Sequence, residues 1–112
     1  MPAGHEDEAR AFYGDLLGLP ELPKPPHLAT RGGCWFGQAG VQLHLGVEAG
    51  FRPARKAHPA FVVRGLRESA ALLPARGFEV VADEPLEGFD RLYASDPFAN
   101  RVELMEPVAG QP

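Results

Sequence analysis

Residues 9–19 read Ala9-Arg10-Ala11-Phe12-Tyr13-Gly14-Asp15-Leu16-Leu17-Gly18-Leu19, and the spacing of their apolar side chains decides how the rest of the chain is parsed. Ala9, Phe12, Tyr13, Leu16 and Leu17 fall at i, i+3, i+4, i+7 and i+8, which is one stripe of an α-helix. Three carboxylates, Glu6, Asp7 and Glu8, precede the stripe and suit the positive end of a helix dipole. Gly18 offers a left-handed cap, and Pro20 prevents the helix from resuming. The pattern predicts a helix over 5–17.

Outward from that helix, the proline-rich stretch 20–31 has room for one short edge strand. Cys34-Trp35-Phe36 predicts a strand that turns at Gln38-Ala39-Gly40 into Val41-Gln42-Leu43-His44-Leu45. In the second of these, Val41, Leu43 and Leu45 share one face, and Gln42, His44 and Gly46 the other. A loop over 48–56 leads to a strand at 57–64, with His58, Ala60 and Val62 on one face. A second helix is expected over 66–76, capped by Gly77 and distorted in its last turn by Pro74. Strands at 78–82, 91–94 and 101–106 follow, with a loop at 83–89 and a turn at Asp96-Pro97-Phe98-Ala99-Asn100. Asp96 and Asn100 are turn formers through side-chain bonds to backbone.

The order is α-β-β-β and then β-α-β-β-β. The helix caps Gly18 and Gly77 are 59 residues apart, and Gln42 in Val-Gln-Leu lies 61 residues before Glu103 in Val-Glu-Leu. These offsets point to a tandem duplication. By the same offset, the strand at 57–64 has its counterpart before the start of the chain. Met1-Pro2-Ala3-Gly4 reads as the tail of that strand, and the first strand is expected to be missing or supplied by another chain.

Composition narrows the function classes. A chain of 112 residues with 45% hydrophobic and 23% charged residues is one ordinary globular domain. Eleven basic against fifteen acidic residues give a net charge of −4, which argues against nucleic acid. Arg52-Pro53-Ala54-Arg55-Lys56 is the densest basic stretch and reads as a solvated loop. No apolar run is long enough to span a membrane, and the acidic N-terminus is unlike a secretory signal. Cys34 is the single cysteine, so no internal disulfide is available. A cytoplasmic protein is expected.

The 9–19 helix resembles the "A-x-x-F-Y-x-x-x-L-G-L" helix of the vicinal oxygen chelate superfamily, the glyoxalase, bleomycin-resistance and extradiol-dioxygenase group. Asp96-Pro97-Phe98-Ala99-Asn100-Arg101-Val102-Glu103-Leu104 is similar to its C-terminal "D-P-x-G-N-x-x-E-L". The resemblance implies an α+β fold of tandem βαβββ modules, with a mixed sheet curled around a cleft. The first module is expected over 1–47, without its first strand, and the second over 57–107.

In metal-dependent relatives the ligands come from the first and last strands of the modules. Carried across by motif, His58 and Glu103 stand at ligand positions, and Gln42 at the equivalent place in module one. His44, two residues on, is a further candidate ligand or cleft-lining group. A divalent metal (Mn, Fe, Co, Ni or Zn) is implied, and with two ligands alone the site is expected to be weak or empty. Burying Glu103 is costly unless it is paired, so a salt bridge to Arg91 or Arg101 competes with ligation. Trp35, Phe36 and Tyr93 are candidates for a pocket lining, with core packing as the alternative. His5, His27 and Cys34 carry no expected role.

The resemblance implies a glyoxalase-like enzyme, a lyase or isomerase, dioxygenase or thiol transferase. Its rival is a metal-free, sequestering protein of bleomycin-resistance type. Either way a small-molecule ligand and a homodimer are expected, because a missing strand leaves a sheet edge to be covered.

Overall fold

A computed structural model describes residues 1–38, 40–82 and 84–108. Ala39 of the expected turn and Asp83 of the expected loop lie outside the described residues. The chain divides into two compact units, Met1–Pro53 and Ala54–Pro112.

The first unit opens with helix α1, Glu6–Ala9, which continues without a break as a π-helix over Arg10–Leu16. Strand β1 (Glu21–Leu22), a one-turn helix α2 (Pro26–Ala29) and strands β2 (Cys34–Gln38) and β3 (Val41–Leu45) complete it. The sheet is antiparallel, in the order β1-β2-β3. The short edge strand expected within 20–31 is β1, whereas α2 is too short to leave a periodic signature.

The expected helix over 5–17 is helical over 6–16, and its second half is wider than an α-helix. Leu17 N–H reaches Phe12 O at 3.0 Å, a bond spanning five residues. Ala9, Phe12 and Tyr13 are fully buried, while Leu16 and Leu17 are half-buried. A π-turn rotates each residue by less than an α-turn does, so the last pair of the stripe falls away from the buried line. Cys34 and Phe36 on β2 supply the other side of this core, with the Phe36 ring 5.8 Å from Tyr13.

Among the described residues no strand precedes α1. At the outer side of the β3 extension, the Met1 ammonium donates to Gly46 O at 2.8 Å, and Glu48 N–H donates to Met1 O at 3.1 Å. Bonds to both flanks of Val47 are the pattern of a parallel pairing one residue long.

The second unit is strand β4 (Ala60–Val62), helix α3 (Leu66–Ala75) and strands β5 (Val80–Ala82), β6 (Phe89–Ser95) and β7 (Arg101–Pro107). Its sheet order is β4-β7-β6-β5, with β4 parallel to β7 and the other pairs antiparallel. Taking β5, β6 and β7 as counterparts of β1, β2 and β3, the order matches that of the first unit, with β4 added. Both sheets are open and neither closes into a barrel.

Leu92 pairs with Leu104 and Ala94 with Val102, and all four are buried on the face where α3 packs with Leu66 and Leu73. Pro74 sits in the last turn of α3, one residue from its end. There Arg76 N–H is shared between Leu72 O and Leu73 O, the frayed last turn that the proline predicts. The alternation that buries Val102 and Leu104 turns Glu103, Tyr93 and Arg91 to the opposite face of the sheet.

Candidate functional site

On that opposite face, β7 presents Glu103 between Ala60 of β4 and Tyr93 of β6. Its carboxylate is only 5% exposed, so both oxygens need partners. His58 Nε2 lies 3.0 Å from Oε1, and Arg91 Nη1 donates to Oε2 at 3.2 Å. The two candidate ligands are therefore brought together, and the competing ion pair with Arg91 is present beside them. Arg91 Nε also donates to Glu84 O at 3.0 Å, which fixes the guanidinium across the loop before β6.

The protons on His58 follow from its neighbours. Nδ1 is 2.7 Å from Lys56 O, a carbonyl that can only accept, so Nδ1 carries hydrogen. Nε2 then either holds a second proton toward Glu103 or presents a lone pair. A metal-bound histidine commonly has this arrangement, with its far nitrogen tied to a backbone carbonyl. The Tyr93 ring meets the imidazole edge-on at 5.0 Å, and the Arg101 guanidinium lies 4.7 Å from the centre of the Tyr93 ring. Tyr93 thus faces His58 and joins the site.

The donors fit a divalent cation in kind. Nε2 and Oε1 stand 3.0 Å apart, in hydrogen-bond contact, and an imidazole nitrogen with a carboxylate oxygen is a donor pair that would suit Mn, Fe, Co, Ni or Zn. In number they fall short. Among the described residues no group of three or more His, Cys, Asp and Glu side chains is gathered. Arg91 also brings positive charge to the carboxylate that a cation would use.

Gln42 and His44 belong to the first unit, where they bond to each other (Oε1 to Nε2, 2.9 Å) and are exposed. His44 also stacks on Trp35, with ring centres 3.7 Å apart and planes within 3°. His44 and Trp35 line a pocket of about 230 Å³ with Lys24 and Arg31, two groups the sequence reading left aside. Phe36, a candidate lining residue, points the other way: it is fully buried in the core with Tyr13, because β2 alternates and Trp35 takes the outer face. The Asp96 turn is structural. Asp96 Oδ1 accepts from Phe98 N–H and Asn100 N–H, both at 2.8 Å, and Oδ2 accepts from Asn100 Nδ2 at 2.9 Å. Cys34 is buried, and burial raises its thiol above the ordinary range, which leaves it a poor nucleophile.

A βαβββ module of this topology, with a histidine two residues ahead of its first strand facing a carboxylate on its last, is the module of the vicinal oxygen chelate superfamily. The chain belongs to the glyoxalase family within it. It is 48% identical to a glyoxalase family protein from Bacillus anthracis, covering 96% of this chain and 88% of that one, with a TM-score of 0.87. Two more distant solved structures share the fold alone. A fosfomycin resistance protein from Listeria monocytogenes is 16% identical over 99% of this chain and 89% of that one, with a TM-score of 0.75. An antibiotic binding protein from Streptomyces sp. CB03234 is 20% identical over 96% and 91%, with a TM-score of 0.71. No protein-family model and no curated protein matches the chain. Among the described residues no helix is long and apolar enough to cross a membrane.

Proposed function

We propose that this chain is a glyoxalase-like enzyme in which His58 and Glu103 hold a divalent metal ion. The observation that carries the reading is the 3.0 Å approach of His58 Nε2 to Glu103 Oε1 on one sheet face. A bound cation would polarise a substrate with two adjacent oxygens. The chain's own groups set the stage for it. Lys56 O keeps the proton on Nδ1, Arg91 orients the carboxylate through Oε2, and Tyr93 with Arg101 walls one side. Two protein ligands leave several positions for substrate or water, at the expense of affinity. Lyase or isomerase, dioxygenase and thiol-transferase chemistry are all compatible with this arrangement.

The second reading is a metal-free protein that binds and sequesters a small molecule. It is supported by Arg91, which with His58 already supplies partners to both oxygens of Glu103. Calorimetric titration of the chelator-stripped protein with Mn(II), Fe(II), Co(II), Ni(II) and Zn(II) separates the two. One-site binding lost in both His58→Ala and Glu103→Ala supports the enzyme, and silence with every metal supports sequestration.

The same reading has the protein act in the cytoplasm as a homodimer. Among the described residues β3 pairs only with β2, leaving the Val41–Leu45 edge open to a second copy. Light scattering at micromolar concentration should give the mass of two chains, and a monomer mass would count against the dimer.

A further inference from the structure

The pocket of the first unit is built from two directions. Lys24 precedes the one-turn helix α2 and Arg31 follows it, so the two cations bracket the same turn. Two successive left-handed glycines, Gly32 (φ 75°) and Gly33 (φ 83°), then swing the chain into β2. A Cβ on Gly33 would stand 2.2 Å from Leu45 O, so the backbone packs against the β3 end with no room to drift. Lys24 Nζ donates to Gly32 O, which ties the first cation to that turn. Among the described residues the Arg31 side chain has no hydrogen-bond or ion-pair partner.

On the sheet side the wall is Trp35 stacked on His44, with Leu45, Gly46 and Val47 beyond. Leu28 of α2 adds an apolar surface. Among the described residues the lining thus holds two cations, two stacked rings and no carboxylate, in a protein whose net charge is −4. Glu6 Oε2, beside Gly32, accepts Gly33 N–H at 2.8 Å. A volume of about 230 Å³ is below the range of roughly 300–1,000 Å³ that drug-sized ligands occupy and suits a one-ring molecule.

We propose that this pocket binds a small planar carboxylate, an aromatic or conjugated acid, whose charged end meets Arg31 and Lys24 and whose ring lies along the Trp35–His44 wall. Every residue of this lining belongs to the first unit.

Trp35 is the single tryptophan of the chain, so its indole N–H gives one signal that reports on this pocket alone. Sodium benzoate titrated into the ¹⁵N-labelled protein should move that signal saturably, with a dissociation constant on the order of 1 mM. Benzyl alcohol, the ring without the charge, and acetate, the charge without the ring, should move it far less at equal concentration. Arg31→Gln should weaken benzoate about tenfold, the loss of one charge-assisted hydrogen bond, while Arg67→Gln on α3 leaves it unchanged. Among the described residues the Arg31 side chain has no bond to lose, so this variant should keep its fold, and its undisturbed amide spectrum would verify that. No saturable shift overturns the proposal, as does an equal shift with benzyl alcohol or unweakened binding in Arg31→Gln.

Discussion

Ala99 is, among the described residues, the one non-glycine with a left-handed backbone, φ 67°. It stands in the Asp96 turn, where Ala99 N–H also donates to Asp96 O at 3.1 Å, so the conformation is imposed by the bonds around it. A side chain there costs about 1 kcal/mol or more. Ala99→Gly should therefore stabilise the protein by about 1 kcal/mol, net of the extra entropy glycine gives the unfolded chain. Thermal unfolding checks this, and an unchanged or lower midpoint would speak against strain in the turn. The residue types of this turn were legible because aspartate and asparagine bond their own backbone locally. The pairing of Glu103 with His58 and Arg91 was legible in outline, since a carboxylate between Val102 and Leu104 demands partners. Lys56 O could not be foreseen, because a backbone acceptor leaves no mark on residue type. Lys24 and Arg31 were missed for a related reason: only the turn of α2 folds them onto one pocket.

At the scale of elements, α1 is tied to the start of β2 by a single side chain. Glu6 Oε2 accepts Gly33 N–H, and that backbone bond holds the Glu6 carboxyl below its ordinary value of 4.5. A carboxyl with a lowered folded-state value favours folding above the unfolded value, and that contribution disappears as pH falls through the folded one. Glu6→Gln keeps an acceptor but loses the charge. It should be less stable than the parent by about 1 kcal/mol at neutral pH, a modest figure because the group is half-exposed. The gap should close as pH falls below 4.5, and denaturant melts across that range would register it. A pH-independent gap would assign the effect to packing. Periodicity located nearly every strand and both long helices, because alternation and the helical stripe mark buried faces directly. It did not reveal the π-helix of Arg10–Leu16, since a stripe at 3.6-residue spacing is also compatible with a slightly wider coil over two turns.

For the whole molecule, the internal repeat was the most legible feature. Two cap glycines and two strand tripeptides at nearly one offset are enough to indicate two similar modules, and the strand orders of the two units agree with it. The repeat says nothing of chemistry, because a shared scaffold hosts many reactions. Cys34 offers an internal gauge of the first unit. Its thiol is 1% exposed and is held protonated by burial. Alkylation should thus be slow in the native state, rising with denaturant as that unit opens. Rapid labelling under native conditions would contradict the packing of β2 against the π-helix Arg10–Leu16.

Binding of Mn(II) by His58 and Glu103 can be read by electron paramagnetic resonance. Adding the stripped protein to a fixed Mn(II) concentration should suppress the free-ion signal, and His58→Ala and Glu103→Ala should each restore it. A free-ion signal undiminished by the parent protein, or suppressed equally by both variants, would contradict the claim.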